Sequence, residues 1–219
     1  MEHDTPLPGS QGEHELQERY GTSQRARAFY ERQLLSHLNP SMREYIARQE
    51  MVFIATADSN GECDCSIRAG LPGFVQVLDE KTLLYPEYRG NGVLASLGNI
   101  SENPRLGMMF TDFFKDAIGL HVNGTARIVD NSELLKRADL PVAVKKELAV
   151  KGGRKPERWV LVHVEEAYIH CSKHIPLLAK REKTIHWGTD DVRAKGGDYF
   201  HVQGSSDCET EGSPAAGCG

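Results

Sequence analysis

Apolar positions recur at helical spacing near the start of the chain, then give way to short strand-like runs punctuated by turn residues. Ala26, Phe29, Tyr30, Gln33 and Leu34 fit one face of a helix over Thr22 to Leu38. Asn39-Pro40 reads as an N-cap followed by proline at the first helical position. Met42, Tyr45, Ile46 and Gln49 continue that second helix to about Glu50, with its apolar face laid on a sheet. MVFIATA (51–57) is short, apolar and β-rich, and Asn60-Gly61 after it is a strong hairpin signal. The return strand, Glu62 to Ala69, alternates: Cys63, Cys65 and Ile67 share one face, and Asp64, Ser66 and Arg68 the other.

Gly70-Leu71-Pro72-Gly73 bends the chain, because proline cannot donate to a ladder and glycine permits unusual dihedrals. Phe74 to Leu78 continues as strand, Asp79-Glu80-Lys81 turns, and Thr82 to Tyr85 returns, breaking at Pro86. A polar loop with Arg89, Gly90, Asn91 and Gly92 leads into a helix that ends at Asn103-Pro104. Leu106 to Thr111 and Gly119 to Val129 form further strands, with Gly124 at a bend of the second. Ser132 to Ala138 and Leu140 to Lys151 are helical in pattern, and Gly152-Gly153 makes a mobile connection. Arg158 to His170 is a long strand on which His163 is a surface residue. From Cys171 the chain continues as helix or loop carrying Lys173, His174, His186 and Trp187. Without βαβ alternation or an internal repeat, this order predicts a mainly β, α+β fold: a partly closed antiparallel barrel with peripheral helices.

Composition narrows the picture. Apolar residues at 39% can form a core, so the chain as a whole is not disordered. A net charge of -5 argues against nucleic acid as a partner, since phosphate backbones call for a basic face. From the polar start no signal peptide is expected, and no apolar run approaches the ~20 residues of a spanning helix. A cytoplasmic protein without a membrane partner is expected. The five cysteines show no framework spacing, which suits a reducing compartment. Cys63-x-Cys65 lacks the second close pair of a zinc site and is read as filling one strand face, so no metal is assigned. Residues 1–20 and 204–219 are expected to be disordered, flanking one domain over 21–203.

Two features point to an anion. Ser66 and Arg68 project from the same strand face about 7 Å apart, a hydroxyl and a guanidinium suited to a phosphate ester. The stretch KTLLYPEYRGNGVLASLGNISENP (81–104) adds strand, glycine-flanked loop and helix N-terminus, a plausible second half of a phosphate seat.

Three segments together, ATADSNGECDCSIRAGLPGFVQVLD, LLYPEYRGNGVLASLGNISENPRLGMMFTDF and LHVNGTARIV, resemble the pyridoxamine 5'-phosphate oxidase-like family of flavin-binding split barrels. His170-Cys171-Ser172-Lys173 matches the HC-x-K segment of its predicted flavin-nucleotide-binding branch. The resemblance covers about residues 40 to 190. It implies a split β-barrel homodimer with FMN bound at the dimer interface. Ser66 and Arg68 would face the flavin and its phosphate, while Leu71, Pro72 and Gly73 would pass beside the ring. Tyr85 and Pro86 would lay backbone against the isoalloxazine, and Arg89, Asn91, Ser96 and Asn99 would hold the ribityl phosphate. Lys173 and Trp187 would close the cleft. The family's oxidases carry an Arg-Lys pair where this chain has Ala95 and Ser96, which shifts phosphate binding towards Arg68 and Arg89. That change, and the lack of the family's C-terminal arginine and histidine signature, argue against vitamin B6 as substrate.

The expectation is therefore an FMN-dependent oxidoreductase acting on a small molecule, with Tyr88, Lys173 and His174 as candidates for the substrate side. No Ser/His/Asp set or spaced carboxylate pair marks a catalytic residue. The resemblance keeps alternatives open: a deazaflavin-dependent reductase, a haem-binding or haem-degrading barrel with His121, His170 or His174 as ligand, and a flavin carrier without turnover.

Overall fold

Two long antiparallel strands carry the architecture of this computed structural model, which describes residues 7–138, 140–151, 155–186, 188–189 and 191–202. Trp187, the Gly152-Gly153 connection and the 204–219 tail lie outside the described residues. In chain order, α1 (Gln11–Arg19) is followed by α2 (Ser23–Gln33), β1 (Leu34–Leu35) and α3 (Pro40–Ala47). Strands β2 (Met51–Ala57), β3 (Cys63–Ala69), β4 (Gln76–Asp79) and β5 (Thr82–Glu87) then run to α4 (Ala95–Glu102). Strands β6 (Arg105–Asp112) and β7 (Ile118–Asp130), helices α5 (Asn131–Leu134) and α6 (Val142–Ala149), and β8 (Arg158–His170) complete the body. A 3-10 turn, Ser172–His174, begins the C-terminal arm.

Several expected elements differ in extent, each for a local reason. Within the first 20 residues, expected to be disordered, α1 starts at a capping box: Ser10 accepts from Glu13 N, and the Glu13 side chain reaches back to the Ser10 amide. Helix α2 stops before Leu34, which turns extended so that β1 can pair with β8 at Tyr168 and Ala167. Asn39 caps α3 as expected, its side chain accepting from Met42 N at 2.9 Å. That helix ends at Ala47 rather than Glu50. Strand β5 does not break at Pro86 but runs through it to Glu87. Its neighbour β4 pairs only as far as Leu84, so Pro86 lies on an unpaired edge where a missing donor costs nothing.

The strands form one antiparallel sheet in the order β3-β2-β6-β7-β8-β5-β4, with β1 added to β8. The ends β3 and β4 do not pair with each other, so the barrel is split. The register of β7 on β8 shifts between Asn123 and Gly124, a bulge at the bend expected there. A Cβ on Gly124 would collide with the His163 carbonyl oxygen.

Two apolar clusters flank the sheet. The barrel interior gathers Leu38, Ile46, Val52, Ile54, Met108, Phe110, Val122 and Val162 with Leu97 and Ile100 of α4. Outside, α5 and α6 cover Leu84, Val129 and Trp159 with Leu134, Val144 and Leu148. The Trp159 indole N–H finds its partner in Asn131 Oδ1 at 2.9 Å. Tyr45 ties α3 across the barrel: its hydroxyl donates to Ile118 O at 2.6 Å and accepts from Asp112 N at 3.0 Å. Burial pushes that phenol up to about 12. Among the described residues no helix is long and apolar enough to cross a membrane.

Gly124→Ala is expected to lower stability by about 1–3 kcal/mol, because the obstacle is rigid backbone rather than a yielding side chain. Urea unfolding measures this; a midpoint equal to wild type would show that the bulge has room. Tyr45→Phe strands a backbone donor and acceptor, and its expected loss is about 1–3 kcal/mol in the same measurement.

Candidate cofactor site

The registers of β2 and β3 decide where Arg68 goes. Arg68 pairs with Val52 and Ser66 with Ile54, and both partners are buried in the barrel interior, so the Ser66/Arg68 face turns inward. Cys63, Cys65 and Ile67 therefore lie on the outer face, where all three are exposed. Strand alternation on β5 likewise puts Tyr85 and Glu87 on one face. Helix α4 plugs the same end of the barrel with Ser96, Leu97 and Ile100 buried.

These elements meet at one guanidinium. Arg68 Nη1 donates to Ser66 Oγ at 3.0 Å, Nη2 to Ser96 Oγ at 2.7 Å, and Nε to Glu87 Oε1 at 2.7 Å. The Arg68 and Glu87 side chains are only 20% and 11% exposed, so the pair sits well out of water. Burial pushes the Glu87 carboxyl above its ordinary value, against the pull of Arg68 and Arg158. On the same strand the Tyr85 side chain is fully enclosed, and among the described residues its hydroxyl has no hydrogen-bond partner. Burial, with the Glu87 charge nearby, drives that phenol upward too. A buried hydroxyl without a partner beside a buried ion pair is an arrangement that a ligand polar atom could complete.

The other expected residues divide among three places. Leu71 and Pro72 line a cavity of roughly 630 Å³ together with Glu147, Trp159, Gly70 two residues after Arg68, and Tyr88 next to Glu87. Tyr88 donates to Glu147 Oε2 at 3.0 Å, and burial with that carboxylate raises its phenol. Arg89 and Asn91 lie on the exposed loop before α4, where Asn91 Oδ1 accepts from Val93 N at 3.0 Å. Asn99 turns to β2 and donates to Thr56 Oγ1 at 3.1 Å. Pro86 is buried on the opposite face of β5 from Tyr85. Lys173 and His174 are exposed on the turn after β8, and within one chain they are not brought to Arg68.

His174 lines a second cavity, of roughly 540 Å³, on the outer face of the sheet. Its walls include Cys65, Phe53, Met109, His121 and His170. His121 Nε2 lies 3.0 Å from His170 Nδ1, and the His121 ring stacks on Tyr168 with centroids 4.7 Å apart. Burial and the neighbouring His170 depress His121. Among the described residues no group of three or more His, Cys, Asp or Glu is placed to hold a metal ion.

Glu87 escaped the sequence reading, although period-two alternation from Tyr85 would have found it. Ending the strand at Pro86 hid it.

A split barrel with an arginine-centred polar cluster at its open seam defines the class of protein. The sequence model for pyridoxamine 5'-phosphate oxidase matches residues 38–171, and the chain belongs to that family. No curated protein matches the chain. Among solved structures it is similar to HupZ of Group A Streptococcus, at 23% identity and a TM-score of 0.46, covering 60% of this chain and 93% of that one. A candidate pyridoxamine 5'-phosphate oxidase from Lactobacillus delbrueckii is 19% identical, with a TM-score of 0.44 over 61% of this chain and 95% of that one. The haem storage protein HutZ from Vibrio cholerae is 14% identical, with a TM-score of 0.37 over 60% of this chain and 94% of that one.

Tyr85→Phe removes a buried hydroxyl that lacks a partner, so the ligand-free protein should gain roughly 1 kcal/mol. A lower unfolding midpoint for this variant would mean that the hydroxyl is already satisfied.

Proposed function

We propose that the protein is an FMN-dependent oxidoreductase acting on a small molecule other than vitamin B6. The observation that carries this reading is the convergence of Ser66 and Arg68 of β3 with Ser96 of α4, next along the chain to a ring-sized cavity. Test of fit favours the cofactor: two hydroxyls and a guanidinium supply phosphate donors, the Tyr85 hydroxyl awaits a partner, and Leu71 and Pro72 offer an apolar wall. When bound, the flavin would supply the redox chemistry. The chain's own part would be to anchor the phosphate through Arg68, Ser66, Ser96 and the loop residues Arg89 and Asn91. Leu71 and Pro72 would exclude water from the ring, and Tyr88 with Glu147 would face the substrate side. Asn99 would hold α4 against β2. Lys173 and Trp187 would close the cleft, and a homodimer with the cofactor at its interface would complete it.

A second reading rests on a different observation: His121, His170 and His174, the three expected haem-ligand candidates, line one largely apolar cavity. The absorption spectrum of the purified protein separates the two. A flavin band released on denaturation supports FMN, whereas a Soret band that fades in His170→Ala supports haem. Arg68→Ala combined with Arg89→Ala should weaken FMN roughly 10- to 1,000-fold and spare riboflavin, which lacks the phosphate. Unchanged FMN affinity in the double variant would end the phosphate assignment. Rapid reduction of the bound flavin by NADH or NADPH then distinguishes an oxidoreductase from a carrier.

A further inference from the structure

The Arg68 seat already contains an anion of its own. Glu87 is 8% exposed, holds Arg68 Nε at 2.7 Å, and comes from the opposite side of the barrel seam. A phosphate arriving at Nη1 and Nη2 would share that guanidinium with a buried carboxylate, and like charges in such a place repel strongly. We propose that Glu87 is the specificity-determining competitor of this seat: a phosphate ester takes Arg68 only as the Glu87 carboxylate gives it up and accepts a proton from solvent. The exchange balances with one O–H bond formed, its proton coming from solvent. The ion pair and a dianionic ester plus one proton become a neutral carboxylic acid and an arginine–phosphate pair.

Two features bear on the neutral acid. Burial already favours protonation of Glu87. The enclosed Tyr85 oxygen lies on the same strand face and has no hydrogen-bond partner among the described residues. The charged and titratable groups acting on Glu87 are Arg68 from β3, Arg158 opposite it on β8, and Tyr85 on β5; Ser96 of α4 completes the Arg68 fork and does not titrate. Arg158 remains as a cation when Arg68 is drawn to the ligand, so Glu87 keeps one neighbouring positive charge.

The proposal rests on the phosphate reading of Arg68, and the test separates the two. The full chain is titrated calorimetrically with FMN and with riboflavin at about pH 7 to 9, where a phosphate monoester with a second pKa near 6 stays dianionic. Buffers of different ionisation enthalpy report protons. The expected result is uptake of about one proton per FMN, with affinity falling up to about tenfold per pH unit, and neither effect for riboflavin. Glu87→Gln should bind FMN about tenfold or more tighter near pH 8 and lose the pH slope. FMN binding tighter than riboflavin but without proton uptake overturns the role of Glu87 and leaves the seat intact. FMN binding no tighter than riboflavin overturns both. Should Glu87→Gln fail to fold, the proton count of the wild-type chain decides alone, because an ion pair that merely braces the seam would release and take up nothing.

Discussion

The ladder between β7 and β8 is the constraint on which the rest of the structure depends. These strands pair from Gly119–His170 to Asp130–Arg158, and each carries the next strand outward on its free side. Strand β6 follows β7 and brings β2 and β3; strand β5 follows β8 and brings β4. The Gly124 bulge sharpens the twist midway, so the two arms of the sheet curl towards each other around a shared core. A straight ladder would leave β3 and β5 facing apart, and the polar cluster would not exist.

The arms do not meet through backbone. Strand β4 stops short, leaving the end of β5 and the edge strand β3 without a common ladder. Side chains close that seam instead. Arg68 from β3 reaches Glu87 on β5 and Ser96 on α4, with Ser66 supporting it. A seam closed by side chains can be re-formed around a ligand, whereas one closed by ladder hydrogen bonds cannot be opened without unfolding. This places the exchangeable chemistry where the barrel is split. It also makes the seam costly to disturb from one side only, since removing one member of a buried pair leaves the other charge unmatched.

The outer face follows a different logic. Ile67, Phe53, Met109 and His121 lie in one row across β3, β2, β6 and β7 because the registers align them. Helices α5 and α6 cover Trp159 elsewhere on the outer face, and Phe29 of α2 meets Tyr168 beside His121. His121 and His170 share one short contact there, and burial with the neighbouring His170 lowers His121.

Local sequence determined much of this chain. Asn39-Pro40 set the start of α3, Asn60-Gly61 set the hairpin and with it the β2–β3 register, and period-two alternation set Ser66 and Arg68 on one face. Those outcomes depend on caps, turns and pleat, which act over a few residues. The motifs between residues 40 and 190 carried the family as well. What the barrel interior faces, and which polar residues meet there, came only from the tertiary structure. The alternation that pairs Ser66 with Arg68 does not say that Ser96 and Glu87 will join them, because those contacts span 28 and 19 residues and cross the split. Pro86 made the same point in reverse: locally it ends a strand, but at an unpaired edge the missing N–H has no bond to lose. Whether a residue breaks an element, or a charge stands alone, was decided by its neighbours in space.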